Sequence, residues 1–271
     1  MRNQESGIRN QVKCYVINLD RSKDRLEHIT RIFDEQGLVF ERIAAVDGRL
    51  LSDIEFNHLT SKRNWPHELT HNEVGCFLSH RECLRLIAES DELWGAIFED
   101  DIILSPNIHS FLQNPDWIPE GTNIAKLDTA KINCAVKYPS HINIIGTSTH
   151  YQCARLISKH YCTGGYIISR ECAKKLYELT EYVTAPIDEI YFNPDYGFLK
   201  KINIQQIIPA LVVQETEMES TIKEQRKIIK RKDRSLMTRI RREIQRTYRR
   251  HILLSWLALA PGCQVGKIPF K

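Results

Sequence analysis

Three consecutive acids, Glu99, Asp100 and Asp101, interrupt the apolar stretch AIFEDDIILS at residues 96–105. An unpaired carboxylate beside a core is costly enough that it takes up a proton or finds a cation. Alternation along an extended chain puts Glu99 and Asp101 on one side and Asp100 on the other. Glu99 and Asp101 then form a D-x-D-like pair of hard oxygen ligands. Such a pair suits Mg²⁺ or Mn²⁺, which takes few carboxylates and completes its shell with water and phosphate oxygens. The competing reading is a solvated turn after a strand. The apolar IILS that follows weighs against it, because a surface turn usually brings Gly, Asn or Pro there.

Other residues have chemical potential and an ordinary alternative. Asp128 closes the strand-like NIAKLDT (123–129) and brings a further acid to a strand end. Asp188 and Glu189 in PIDEIYF supply a general base, or simply the acids that favour a first helical turn after Pro186. His80 in GCFLSH sits beside a helical core face, where packing histidines are common. Cys76 and His80 form a C-x-x-x-H without a second half, so zinc is not expected. Thr163-Gly164-Gly165-Tyr166 reads as a glycine turn, which is a weak signal for a phosphate loop.

The elements that must carry these residues alternate. CYVINL (14–19) is a strand, RLEHITRIFDEQG a helix with Leu26, Ile29, Ile32 and Phe33 on one face, and VFERIAAV (39–46) a second strand. HNEVGCFLSHRECLRLIAES is a long amphipathic helix leading into the strand WGAIFEDDIIL. YCTGGYIIS is a turn and strand, RECAKKLYELTEY a helix, and INIQQIIPALVVQE closes the globular part. No element is assigned between Thr129 and Tyr161. This β-α-β order predicts an α/β fold with a mixed, mostly parallel sheet flanked by helices. In such sheets ligands gather at the carboxyl ends of the strands, where both acid-ended strands deliver their carboxylates.

The formal net charge of +4 conceals an asymmetry. Residues 223–271 hold 15 Lys and Arg against 3 Asp and Glu, leaving residues 1–222 at −8. The tail spaces Ile229, Leu236, Ile240, Ile244, Tyr248 and Ile252 at helical intervals among basic residues. This pattern predicts an amphipathic helix for an anionic membrane surface, with Trp256 and its leucines inserted. RNA is the other anionic partner, disfavoured by the acidic body. The expected division is a catalytic domain over 1–222 and a basic membrane-associating tail over 223–271. The run LLSWLALA is far shorter than the roughly 20 residues that span a bilayer. The polar start MRNQESGIRNQVK lacks the h-region of a secretory signal, and eight cysteines without CxxC pairs suit a reducing compartment. A cytoplasmic protein, peripheral on an anionic membrane surface, is expected.

In order, VINLDRSKDR, EVGCFLSH, AIFEDDIIL, KLDT, TGGYIIS, PIDEIYF and PALVVQE resemble glycosyltransferase family 25, in particular the bacterial lipooligosaccharide β-galactosyltransferases. The resemblance spans roughly residues 13–222 and rests on the order of seven motifs, each weak alone. It implies a GT-A-like fold and an inverting transfer of hexose, commonly galactose from UDP-galactose, onto a lipooligosaccharide or lipopolysaccharide acceptor. By position it implies that Glu99, Asp100 and Asp101 hold Mn²⁺ (or Mg²⁺) and the UDP diphosphate, with Glu99 and Asp101 as metal ligands. Asn18, Leu19 and Arg25 would lie by the nucleotide, Ser79 and His80 at the donor pocket, and Gly165, Tyr166 and Asp188 near the sugar and acceptor. Asp188 is the expected base and Asp128 its rival. The charged LDRSKDR turn and the Asp of KLDT depart from some relatives and leave the donor sugar open. A nucleic-acid-binding protein acting through the tail, and a metal-dependent phosphohydrolase, are the alternatives.

Overall fold

The computed structural model describes residues 11–139, 145–146, 150–215, 244 and 247–271. The N-terminal unit follows the expected order: β1 (Lys13–Asn18), α1 (Lys23–Glu35) and β2 (Glu41–Ala44), with β2 parallel to β1. Helix α1 buries Ile29 and Phe33 and ends at Gly37, whose φ of 62° is the left-handed conformation glycine accepts at a helix terminus. After a short helix α2 (Asp53–Leu59), α3 (His71–Glu89) begins in a capping box. Thr70 accepts from the Glu73 amide, and Glu73 returns to the Thr70 amide. A Cβ on Gly48 would lie 1.9 Å from the His71 carbonyl oxygen, and one on Gly75 would lie 2.5 Å from that of Val46. The loop after β2 is therefore pressed onto the start of α3.

Two predicted strands, and the segment that closes the globular part, each turn out to be two strands. β3 (Trp94–Glu99) and β4 (Ile102–Leu104) part at Asp100 and Asp101; β5 (Ile124–Lys126) and β6 (Asp128–Thr129) part at Leu127. Likewise β11 (Ile204–Ile208) and β12 (Val212–Gln214) part around Pro209. The first members lie in a ten-stranded sheet, whereas β4, β12 and β6 form a separate three-stranded sheet. The acids thus occupy points where the chain leaves one sheet for the other.

Between Thr129 and Tyr161, where the sequence showed no element, lie β7 (Asn133–Lys137), β8 (Ile145–Gly146) and β9 (His150–Leu156). Together with β10 (Gly165–Ser169) and β13 (Cys263–Lys267) they complete the main sheet, ordered β13-β7-β9-β11-β5-β10-β3-β1-β2, with β8 paired to β9. Within the main sheet, parallel pairing among the described residues is confined to β2-β1-β3 and β5-β11. The expected predominance of parallel pairs fails elsewhere because β10 inserts antiparallel between β3 and β5, and β7, β9 and β13 form an antiparallel edge.

Both faces of the sheet are covered. Tyr15, Ile17 and Ile97 pack with Val74, Phe77 and Leu84 of α3, with α5 (Arg170–Leu179) and with α6 (Ile187–Phe192). The alternate residues Cys14, Val16, Ala96 and Phe98 pack with α1 and with α4 (Ile108–Gln113). This alternation runs on to the strand end, so Glu99 is delivered toward α3 and Asp100 toward α1.

The division at residue 223 needs correction. Strand β13 pairs along β7, the Thr129 hydroxyl donates to the Ile268 carbonyl at 3.1 Å, and the Ala210 amide donates to that of Pro269 at 2.7 Å. The last residues belong to the catalytic body because β7 has an unpaired edge that they fill. The predicted long helix over 223–255 falls mostly outside the described residues. Its end is a π-helical turn (Tyr248–Leu253) followed by α7 (Leu254–Ala258). Among the described residues, no helix is long and apolar enough to cross a membrane.

Candidate active site

Glu99, Asp100 and Asp101 stand at the floor of a cleft walled by the β1–α1 turn, the loop after β2, α3 and Gln214. The division expected from alternation is present. Gln214 donates from one amide nitrogen to Glu99 Oε2 at 2.9 Å and to Asp101 Oδ1 at 3.3 Å. Asp100 turns the other way, accepting from Asn18 at 2.7 Å and from Arg25 at 2.9 Å. Arg25 Nη1 is also 3.7 Å from Asp101 Oδ2, so one guanidinium borders both acids. Glu99 and Asp101 keep 20% and 14% of their side-chain surface open, enough for a ligand to reach them from the cleft.

The surroundings separate these carboxylates. Burial pushes Glu99 up, but His80, the Thr163 hydroxyl donating at 2.6 Å and the Lys126 charge outweigh it and hold Glu99 below the usual range. Burial, together with the facing Glu99, pushes Asp101 up to about 7. Asp100 is raised chiefly by burial, against its bonds to Asn18 and Arg25. Two facing acids thus ionise together only with difficulty, the electrostatic condition that a cation relieves.

Helix α3 supplies the opposite wall. Ser79 holds the loop after β2, its hydroxyl accepting from the Val46 amide at 2.9 Å and donating to the Gly75 carbonyl at 2.7 Å. His80 is fully buried; its Nδ1 is 3.0 Å from Tyr166 Oη. Its Nε2 faces Glu99 Oε1 at 3.4 Å without forming a hydrogen bond. With Cys76, one turn earlier, the ligand atoms of His80 and Glu99 all lie within 4.8 Å of one another. The fold therefore supplies a third potential ligand that sequence spacing alone could not show.

Asp128 has a different situation. It is fully buried, ion-paired with the equally buried Lys126, and accepts from the Gly164 amide at 3.0 Å. Lys126 also donates to the Cys162 carbonyl at 2.6 Å and lies 4.0 Å from the Phe192 ring centroid. Burial pushes Asp128 up to about 6 despite the lysine. Asp188 is only half-buried, in the first turn of α6, where its carboxylate accepts from the Glu189 amide at 2.9 Å. Its charge is felt at Cys76 and Cys162, which are raised by burial first and by the surrounding acids, Asp188 included. Asp188 is not among the residues that line the cleft, although Cys76, which feels its charge, is one of them, and Glu189 is spent internally on Lys159 and Asn193.

Of the residues expected at the site, Leu19, Arg25, Ser79, His80 and the three acids line the cleft, and Asn18 supports it through Asp100. Gly165 and Tyr166, expected beside the sugar, are instead buried in β10. A Cβ on Gly165 would lie 2.9 Å from Val212, and Tyr166 braces His80 from behind. Sequence reasoning gave no role to Gln214 or to the Asp47 carboxylate paired with Arg21 and Arg49 at the cleft rim, and met Thr163 only as part of a glycine turn. Gln214 lies within the quoted PALVVQE motif, which was the available signal.

Carboxylates gathered at the strand ends of a mixed α/β sheet define an enzyme-type cleft. The comparisons with known proteins specify which. Residues 11–191 match the model of Glycosyltransferase family 25 (LPS biosynthesis protein), and the chain belongs to that family. It is 29% identical over 218 residues to the lipooligosaccharide biosynthesis protein lic2B of Haemophilus influenzae, covering 75% of this chain and 76% of that one. To the lacto-N-neotetraose biosynthesis glycosyltransferase LgtE of Neisseria meningitidis serogroup B it is 28% identical over 216 residues, covering 74% and 73%. Among solved structures it is similar to a glycosyltransferase involved in the glycosylation of the major capsid of PBCV-1. That similarity has a TM-score of 0.39 and 11% identity, over 81% of this chain and 98% of that one.

Proposed function

We propose that this glycosyltransferase moves a hexose, galactose from UDP-galactose foremost, onto a lipooligosaccharide or lipopolysaccharide acceptor by a GT-A-type, inverting, metal-dependent mechanism. The observation that carries the reading is the convergence of Glu99 and Asp101 on Gln214 at the cleft floor. The names of the relatives, which concern lipooligosaccharide and lacto-N-neotetraose biosynthesis, support the acceptor class.

The donor set fits Mn²⁺ or Mg²⁺: two hard carboxylates share one neutral amide, and burial disfavours their joint ionisation. A divalent ion held there supplies Lewis-acid stabilisation of the charge that develops on the departing UDP. The protein's own groups do the rest. Asp100 and Asn18 fix Arg25 at the acids, where its guanidinium faces an incoming diphosphate. Leu19, Ser79 and the loop after β2 form the walls against which the nucleotide orients. In a single displacement the acceptor hydroxyl must lose its proton as it attacks, and Asp188 is the base, accepting that proton at its carboxylate. Asp128, sealed beneath Gly164 by Lys126, positions the 163–165 turn.

The membrane assignment has its own observation. Tyr248, Ile252, Trp256 and Leu259 recur near helical spacing and are 51%, 57%, 69% and 84% exposed, beside the most basic stretch of the chain. An anionic lipid surface matches both the apolar stripe and the charge, and would hold the enzyme peripherally on the cytoplasmic face beside a lipid-linked acceptor.

Radiolabel transfer from UDP-galactose to a lactosyl or glucosyl acceptor, with and without Mn²⁺, tests the reading. Metal-stimulated transfer is expected. Neither transfer nor donor hydrolysis with any UDP-hexose would sink it.

A further inference from the structure

We propose that Cys76, His80 and Glu99 form a second metal site, selective for a thiophilic divalent ion such as Zn²⁺, which overlaps the Glu99–Asp101 pair through Glu99. Cys76 and His80 are four residues apart on α3 and so lie on one face of the helix. Their sulfur and nitrogen and a Glu99 oxygen are within 4.8 Å of one another. Zinc bonds of about 2.3 Å to sulfur and about 2.0–2.1 Å to nitrogen bring such atoms to within roughly 4 Å. A small side-chain adjustment closes that gap.

An independent observation points to a ligand. His80 is 0% exposed, its Nε2 makes no hydrogen bond, and that nitrogen is aimed at Glu99 Oε1. A buried ring nitrogen whose nearest acceptor is 3.4 Å away, with no hydrogen bond formed, is under-satisfied, and that is costly. Its other nitrogen, Nδ1, is held by Tyr166 Oη at 3.0 Å, the arrangement in which an outer partner fixes ring orientation for a metal. Cys76 lines the same cleft as Glu99 and Asp101, whose negative charge favours a cation there. Three protein ligands and an open cleft correspond to a zinc site that retains one free position. On binding, the ion replaces the Cys76 thiol proton, which leaves to buffer; no oxidant or reductant is involved.

The sharing of Glu99 gives the site a consequence. An ion in the Cys76–His80–Glu99 trio withdraws Glu99 from Asp101, so Zn²⁺ antagonises Mn²⁺ at the neighbouring pair. This consequence rests on the proposed function; the existence of the site does not.

The test is Co²⁺ titration of the full chain under reducing conditions, followed by absorbance. A thiolate-to-cobalt charge-transfer band in the near ultraviolet, with intense tetrahedral d–d bands, is expected. Both should disappear on addition of Zn²⁺ and be absent in Cys76→Ala. His80→Gln, a second variant, should lose the tetrahedral d–d bands, and near-native thermal melts will establish that both variants fold. No band in the wild type, or the same band in folded Cys76→Ala, overturns the proposal. Because the readout is the metal–sulfur bond, failure of the transferase reading would leave this result standing, and its failure would leave the Glu99–Asp101 pair untouched.

Discussion

Glu99 and Asp101 accept from the same side-chain nitrogen of Gln214, at 2.9 and 3.3 Å, although Asp100 between them is bound to α1. The amide bridges two carboxylates that would otherwise repel or share a proton. Gln214→Ala should weaken Mn²⁺ binding by about 10–100-fold, the usual effect of losing a partner that orients metal ligands. Isothermal titration of Mn²⁺ into both proteins measures it.

Metal binding should depend on pH. Asp101 stands at about 7, so below that value an incoming ion must displace its proton. Mn²⁺ affinity is expected to rise between pH 6 and 8 and then level off. Stability of the metal-free protein runs the other way. Asp101 and Asp128 are raised above their unfolded values, so their contribution is complete below about pH 4 and is lost as pH rises through about 6–7. Thermal melts with and without Mn²⁺ across this range check both signs.

Asp188 and Asp128 should respond oppositely to removal of their charge. Asp188→Asn is expected to lower kcat by about 10²–10⁴-fold, the worth of a general base, with UDP affinity and melting temperature retained. Asp128→Asn strands the buried Lys126 and should cost about 3–5 kcal/mol of stability. If Asp128→Asn melts like wild type but loses turnover, the base assignment is reversed.

Much of this was legible in the sequence because the signals were local. Residues 71–89 announced their helix through apolar spacing, and the alternation at Glu99–Asp100–Asp101 anticipated their opposite directions. What failed was non-local. Nothing in FEDDII reveals that the strand breaks there to join another sheet, since the pairing partners β12 and β6 lie far along the chain. Strand β13 was hidden because CQVGK has no strong pattern and is defined by the open edge of β7. Gly165 and Tyr166 resembled site residues because their burial behind His80 depends on β10 running antiparallel between β3 and β5.

The exposed stripe should carry lipid binding. Trp256→Glu with Leu259→Glu is expected to reduce sedimentation with anionic phosphatidylglycerol vesicles by at least tenfold, while transfer to a soluble acceptor persists. Retained vesicle binding in the double variant, or wild-type binding to RNA with the same salt dependence, would contradict the lipid assignment.

The central claim is that Glu99 and Asp101 clamp a metal–diphosphate, and calorimetric titration of UDP into wild type and Asp101→Ala, each with and without Mn²⁺, tests it most directly. Wild type should bind UDP markedly more tightly with Mn²⁺, and Asp101→Ala should lose that increment while remaining folded. An unchanged Mn²⁺-dependent affinity in Asp101→Ala would contradict the account.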